Sequence, residues 1–368
     1  MESRNGKILS IQALRAFAFL GIFLSHAGAR ILKWPQLGVS IFYVLSGYLM
    51  YFQYASKDIG CSIKSNALFS WSKIKKLYPL HIVTMLCAIV LFLAVNIRGG
   101  PPSKSVIYLI GVTILNILLL QTWIPHSSIN VSLNGVAWYL SVTMFLYFLF
   151  PYIKKHIQKK KKSTLIVSCV VILVFEIISC VPWILFMGSK NPSYTWFMYC
   201  FPLFRFGDFY VGCCVSKCYG ERILQSGGSF IKYSIYEIAA ILLTILVCVW
   251  EKQKYSSPFL TAMQNWTTLY IPLAVIWVIL FIKENGIITK VLTNKVTIFI
   301  GNISAYTFLI HYVVTRYVGS ALNFLNIELS FEQNIIKIII EFICTIIIAV
   351  VYRRLKISNG FILQSKNR

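Results

Sequence analysis

Acidic residues are scarce in this 368-residue chain: 11 Asp and Glu stand against 35 Lys and Arg. Charge of both signs makes up only 12% of the residues, hydrophobic residues make up 58%, and the mean hydropathy is +0.73. A soluble domain is not built from so little charge, so the composition is that of a polytopic membrane protein. There is also no internal repeat, no Pro- or Gly-rich linker and no soluble segment longer than a loop, so one membrane domain takes residues 1–368. The 10 Cys lack paired spacing. Cys213, Cys214 and Cys218 form Cys-Cys-x-x-x-Cys, which matches no metal pattern, so they read as small apolar fillers and no metal site is expected. The first apolar stretch carries Arg15 inside it and lacks a small-residue cleavage site, which excludes a cleavable signal peptide. The net charge of +24 would suit nucleic acid. However, the basic residues cluster between apolar spans, where they act as topology signals, and no nucleic-acid partner is expected.

The apolar runs place spans at 8–29, 37–55, 77–97, 136–153, 164–187, 196–215, 233–250, 266–282, 296–317 and 334–352. Lys57, Lys64, Lys73, Lys75 and Lys76 put one loop in the cytoplasm, and the run Lys154-Lys155-His156-Ile-Gln-Lys159-Lys160-Lys161-Lys162 puts a later one there too. Two crossings between those loops satisfy both; three do not. The shorter apolar piece at 106–120, flanked by Pro101-Pro102 and Trp123-Ile-Pro125, therefore reads as a re-entrant segment. Lys217, Arg222 and Lys232, then Lys283, Lys290 and Lys295, then Arg353, Arg354 and Lys356 continue the pattern; Lys252 and Lys254 are the exceptions. The expectation is an all-α polytopic fold of about ten transmembrane helices plus one re-entrant segment, with both termini cytoplasmic.

Ionisable groups in hydrocarbon are costly and mark function. Arg15 and His26 lie eleven positions apart in the first span, which on a helix means about three turns, roughly 16 Å, and nearly one face. The competing explanation has Arg15 snorkelling and His26 satisfying a neighbouring helix, but Arg15 lies deep for that. A guanidinium low and an imidazole high suit a shaft in which the first meets phosphate and the second acts as general base. Further polar groups at membrane depth are His311, Arg205, Trp138, Ser141 and Ser46. Each is a candidate for the cavity or the acceptor, weighed against plain interhelical hydrogen bonding. Arg205 and Asp208, three residues apart, suit a pair on one helix face. The entry to the third span, Lys73-Ile-Lys75-Lys76-Leu-Tyr78-Pro79-Leu-His81, is either a stop-transfer cluster or a docking patch for a phosphorylated cytoplasmic ligand.

Taken in order, these segments resemble the acyltransferase-3 family of integral membrane acyltransferases, from residue 8 to residue 312. Arg15 and His26 match that family's basic residue, ten spacers and His. Its Gly-Val-x-x-Phe-Phe-Val-Leu-Ser-Gly segment looks like 38–48, with Tyr43 replacing a Phe. Its basic Tyr-Pro entry looks like Lys73 to His81, with Lys where Arg is usual. Its Trp-x-Leu-Ser is similar to 138–141, its Arg-x-x-x-Phe-x-x-Gly to Arg205, Phe209 and Gly212, and its Gly-x-x-Ser with a later His to Gly301, Ser304 and His311. Many members carry acidic residues after Leu-Ser-Val; here Thr143 and Met144 follow, so no carboxylate is assigned there.

The resemblance implies an O-acetyltransferase in the bacterial inner (cytoplasmic) membrane. It would move an acetyl group from cytoplasmic acetyl-CoA, a co-substrate rather than a bound cofactor, to a sugar hydroxyl of a cell-surface polysaccharide or its lipid-linked precursor. It implies that His26 and Arg15 are needed for activity; with such a donor, Arg15 and the basic entry Lys73, Lys75, Lys76 and Tyr78 are expected to meet the acyl-CoA. Some members add a soluble esterase-like domain, and none is expected here. The partners implied are acetyl-CoA, a glycan and the bilayer; oligomeric state, a homo-oligomer included, stays open. The rival function is a glycan flippase or exporter, since buried Arg and His along a shaft also suit passage. In either case Arg15 and His26 are expected to border one continuous tunnel.

Overall fold

A computed structural model describes residues 8–29, 34–96, 102–187, 193, 196–225, 228–253, 256–264 and 266–365; Pro101, Lys254 and both chain ends lie outside them. Every regular element among the described residues is helical. The helices are α1 Leu9–His26, α2 Pro35–Tyr54, α3 Ile63–Ile74, α4 Tyr78–Asn96, α5 Pro102–Ile117, α6 Ser127–Asn130, α7 Trp138–Gln158 and α8 Lys162–Pro182. They continue as α9 Phe206–Gln225, α10 Phe230–Trp250, α11 Pro258–Met263, α12 Ile271–Lys283, α13 Ile287–Leu292, α14 Lys295–Phe324 and α15 Phe331–Ser365.

Among the described residues, seven helices are long and apolar enough to cross a bilayer: α1, α4, α7, α8, α10, α14 and α15. Only 17% of the spans of α8, α10 and α15 is covered by protein, against 61% for α1 and α7, so the latter two lie inside the bundle and the former face lipid. The expected spans at 37–55 and 196–215 fall short of that hydropathy for a physical reason. Their helices α2 and α9 pack on each other at the centre, where protein rather than lipid is the neighbour. The contact is close because Gly47 and Gly212 face backbone: an added Cβ would lie 2.0 Å from the Phe209 carbonyl oxygen and 2.0 Å from that of Val44. The span at 266–282 is the short stretch Thr267–Lys283.

Two boundaries differ from expectation. The run 196–215 is interrupted at Pro202, which lacks an N–H, so a π-helical turn at Trp196–Cys200 precedes α9, which starts only at Phe206. The Lys-rich segment after α2 is not a plain loop but α3. Ser62 and Ser65 start that helix with reciprocal side-chain-to-backbone bonds. Ile63, Leu68 and Trp71 of α3 are exposed, while Ser70 donates to the Met144 carbonyl at 2.6 Å, which suits a helix lying at the membrane interface.

The apolar part of α5, Val106–Ile117, is too short for a hydrocarbon core of ~30 Å. After it the chain is irregular and polar, with Leu119, Gln121, Thr122, Asn130, Ser132 and Asn134 buried. Leu119 takes a left-handed φ of 54°. Ser141 donates to its carbonyl at 2.5 Å, and the Trp196 indole donates to the Thr122 carbonyl at 2.7 Å. Protein thus satisfies the non-helical backbone, as a segment at membrane depth requires. The Lys-rich turns meet at one end of the bundle, where Gln158 donates to the Ala55 carbonyl at 2.6 Å and Lys154 donates to that of Lys57.

Candidate functional site

Helix α1 sits between α2 and α14, close to both. Gly301 of α14 allows this: a Cβ there would fall 1.9 Å from the Gln12 carbonyl oxygen. The close approach brings the two ends of the first apolar stretch against two different pieces of α14.

At one end stands an imidazole pair. His26 Nδ1 and His311 Nε2 are 2.9 Å apart. His311 is fully buried; His26 is exposed. His311 Nδ1 is 3.2 Å from the Thr307 carbonyl oxygen. A carbonyl only accepts, so His311 Nδ1 carries a hydrogen. With both rings neutral, His311 Nε2 then accepts, His26 Nδ1 donates, and His26 Nε2 is left with a free lone pair. The Phe19, Phe23 and Phe308 rings pack round His311 at centroid distances of 5.5, 6.2 and 5.7 Å, and Tyr312 meets His26 edge-on at 5.2 Å. Lys337 donates to the Ala27 carbonyl at 3.0 Å, placing a cation at the C-terminus of α1 beside His26.

At the other end, Arg15 borders a cavity of about 120 Å³ with Lys73, Ser46, Thr143, Tyr147 and Ser304. Ser46 and Tyr147 share a hydrogen bond of 2.8 Å, and the Arg15 Nε is buried without a hydrogen-bond partner. Lys73 lies over the Tyr54 and Phe69 rings and donates to the Tyr54 hydroxyl. This donor set, two cations and several hydroxyls in an apolar pocket, fits an anionic or carbonyl-bearing group.

The expected continuous tunnel is not what the structure has. His26 is not among the residues lining that cavity, whose far wall is Phe42, Tyr139, Phe308 and Leu309. The Phe42, Tyr139 and Phe308 rings contact one another at 5.2 to 6.2 Å and stand between the cavity and the imidazoles. A helical face long enough to hold both groups does not fix what fills the space between them.

Of the other sequence-chosen residues, Ser46 and Lys73 join Arg15, and His311 joins His26. Lys75 and Lys76 are exposed and do not line the cavity. Tyr78 donates to the Ile117 carbonyl at 2.8 Å, fastening the end of α5. Ser141 binds the irregular segment, accepting from Thr122 at 2.6 Å. Arg205 and Asp208 do pair, at 3.2 Å and fully buried. Arg205 Nε also donates to the Tyr199 carbonyl at 2.8 Å, and Tyr43, Trp138 and Tyr199 enclose the guanidinium at 5.0 to 5.5 Å. Arg205 and Trp138 therefore form a separate cluster outside the Arg15 cavity.

The sequence reading overlooked several groups. Glu176 in α8 accepts from the Gly207 amide at 3.0 Å and the Thr268 hydroxyl at 2.9 Å, tying three segments together. Glu237 accepts from Ile288 and Thr289 at the start of α13. A carboxylate inside an apolar run is a signal worth following. Thr307, one turn before His311, was legible from helix spacing once His311 had been singled out.

Comparison with known proteins gives the family. Residues 8–354 match the acyltransferase domain family. The chain belongs to the acyltransferase-3 family. It is similar to Acyltransferase MdmB of Streptomyces mycarofaciens, with 29% identity over 168 residues, which cover 41% of this chain and 40% of that relative. The chain thus spans about two fifths of the length of that curated relative. No solved structure matches.

Proposed function

We propose that this protein is an O-acetyltransferase of the cytoplasmic membrane. It crosses the bilayer ten times with both termini inside and carries acetyl from cytoplasmic acetyl-CoA to a hydroxyl of a surface glycan or its lipid-linked precursor. The observation that carries this reading is the His26–His311 pair, which leaves His26 Nε2 unprotonated at an exposed position at the C-terminal end of α1. Family membership supplies the acyl-transfer chemistry, and the basic loops supply the sidedness.

The donor approaches from the end bearing the Lys-rich turns. A cavity of about 120 Å³ is smaller than the 300–1,000 Å³ typical of whole-ligand pockets, so it receives the thioester end. Arg15 donates to the donor's acyl-bearing arm there, Lys73 guards the entrance, and the thioester carbonyl passes the aromatic partition to reach His26 for the reaction. The nucleotide stays outside. A wider basin of about 680 Å³ with Lys160, Lys162 and Lys217 flanks the same end of α2 and offers its phosphates cations. In the reaction the acceptor hydroxyl gives its proton to His26 Nε2, and its oxygen attacks the thioester carbonyl. The carbon–sulfur bond breaks, and the CoA thiolate leaves and takes the proton back from His26. His311 shares the imidazolium charge through the 2.9 Å contact. For the two reactants to meet, the Phe42–Tyr139–Phe308 cluster swings aside.

The test is transfer of labelled acetyl from acetyl-CoA to the producing organism's surface glycan by purified protein in nanodiscs. Ester formation that vanishes in His26→Ala supports the proposal. Glycan movement across the bilayer without ester formation replaces it with export. Label trapped on His26 before acceptor is added would convert the general base into a nucleophile.

A further inference from the structure

A groove of about 460 Å³ lies between α4, the segment after α5, and α14, and Tyr312 forms one of its walls. The ring of Tyr312 also meets His26 edge-on. One side chain therefore borders both the groove and the proposed base. Tyr312 is held there because Gly135 leaves room: a Cβ at Gly135 would come within 2.7 Å of its ring.

Arg316 stands one helical turn beyond Tyr312 on the same face of α14 and lines the same groove. It is exposed, and it makes no hydrogen bond or ion pair with another described residue. Its place, at the end of the bundle opposite the Lys-rich turns, is not explained as a topology signal. The nearby Lys337 is occupied by Ala27 and Glu341. Tyr108 and Phe92 form a further aromatic wall, 6.2 Å apart, with Ser128 and Ser132 at the margin. Aromatic faces and one unpaired guanidinium are what a sugar ring with an acidic substituent requires.

The geometry points to this groove as the acceptor subsite, with Arg316 selecting an acidic saccharide by pairing its carboxylate or phosphate. The inference rests on the acetyl-transfer reading above and adds the class of acceptor. An acid held by Arg316 and a ring lying over Tyr312 bring a hydroxyl of the same or the next sugar to His26 Nε2.

Binding tests this without any catalysis. Full-length protein in nanodiscs is titrated with trigalacturonate, a maltotriose phosphate and neutral maltotriose. Wild type should bind at least one acidic probe about tenfold or more tightly than maltotriose, and whichever binds identifies the anion. Arg316→Gln should lose that preference while its thermal unfolding stays that of wild type, and Arg316→Lys should keep most of it. Equal binding of all three probes by wild type, or an undiminished preference in Arg316→Gln, overturns the assignment. Acetyl-CoA turnover by the same wild-type preparation reports on the transfer reading separately: a preference lost with Arg316 in a protein that transfers no acetyl would keep the saccharide site and remove the chemistry.

Discussion

The imidazoles of His26 and His311 are separated by 285 positions in the chain and by 2.9 Å in space. The contact fixes which nitrogen of His26 is free, because the Thr307 carbonyl dictates the hydrogen on His311. Losing the base itself should cost about 10²–10⁴-fold in transfer rate. His26→Ala is therefore expected to be nearly inactive while remaining inserted and folded. His311→Asn acts at one remove: it leaves His26 free to rotate and to choose either tautomer. Its kcat should fall while KM for acetyl-CoA holds, and the pH–rate profile should shift. An unaltered profile and rate in His311→Asn would show that His26 works without its partner.

In the transfer reading, Arg15 meets the donor through geometry as well as charge. Its Nε is buried without a hydrogen-bond partner, so the guanidinium has unused donor capacity beside the cavity. Arg15→Lys keeps the charge but removes the planar fork. We expect KM for acetyl-CoA to rise about tenfold in Arg15→Lys, the loss of one charge-assisted hydrogen bond. Lys75→Ala, whose side chain is exposed outside the cavity, should leave KM near the wild-type value. Initial rates at varied acetyl-CoA measure both, and a KM for Arg15→Lys equal to wild type removes Arg15 from donor binding.

The sequence made the helical bundle legible because apolar runs of this length have few alternatives. It made Arg15 and His26 legible because ionisable groups there are rare. The pairing of His26 with His311 was not legible. Two histidines on distant helices carry no record of the interhelical register that Gly301 against Gln12 sets. Arg205 and Asp208 were read correctly as a pair from their spacing, but spacing on one helix says nothing of the Tyr43, Trp138 and Tyr199 rings that close round them. The interruption at Pro202 was present in the residues and outweighed by the hydropathy around it. The aromatic partition between Arg15 and His26 is a matter of side-chain packing among three helices, which local pattern does not encode.

Gly47 and Gly212 offer a test of the central helix pair. A methyl at either would press on a backbone carbonyl at 2.0 Å, with no flexible side chain to yield. Overpacking typically costs about 1–3 kcal/mol, and here α2 and α9 would have to separate along their contact. Gly47→Ala should unfold at a clearly lower temperature than wild type in the same detergent. Gly111→Ala provides the control, since nothing lies within 4 Å of its added Cβ. If both variants melt together with wild type, the close approach of α2 and α9 is not as described.

Phe308 lies between the two ends of the site. Its ring closes the Arg15 cavity on one side and packs 5.7 Å from His311 on the other. In the transfer reading this partition keeps the thioester from water until an acceptor is in place. Phe308→Ala removes the shared wall while leaving Arg15, His26 and His311 in position. Its hydrolysis of acetyl-CoA without acceptor should rise severalfold, and the fraction of acetyl delivered to glycan should fall. Phe308→Trp, which fills the gap further, should slow transfer and leave hydrolysis low. Thiol release with and without acceptor, measured on all three proteins, separates the possibilities. Identical uncoupled hydrolysis in Phe308→Ala and wild type would mean that the ring is packing only, and that acetyl reaches His26 by another route.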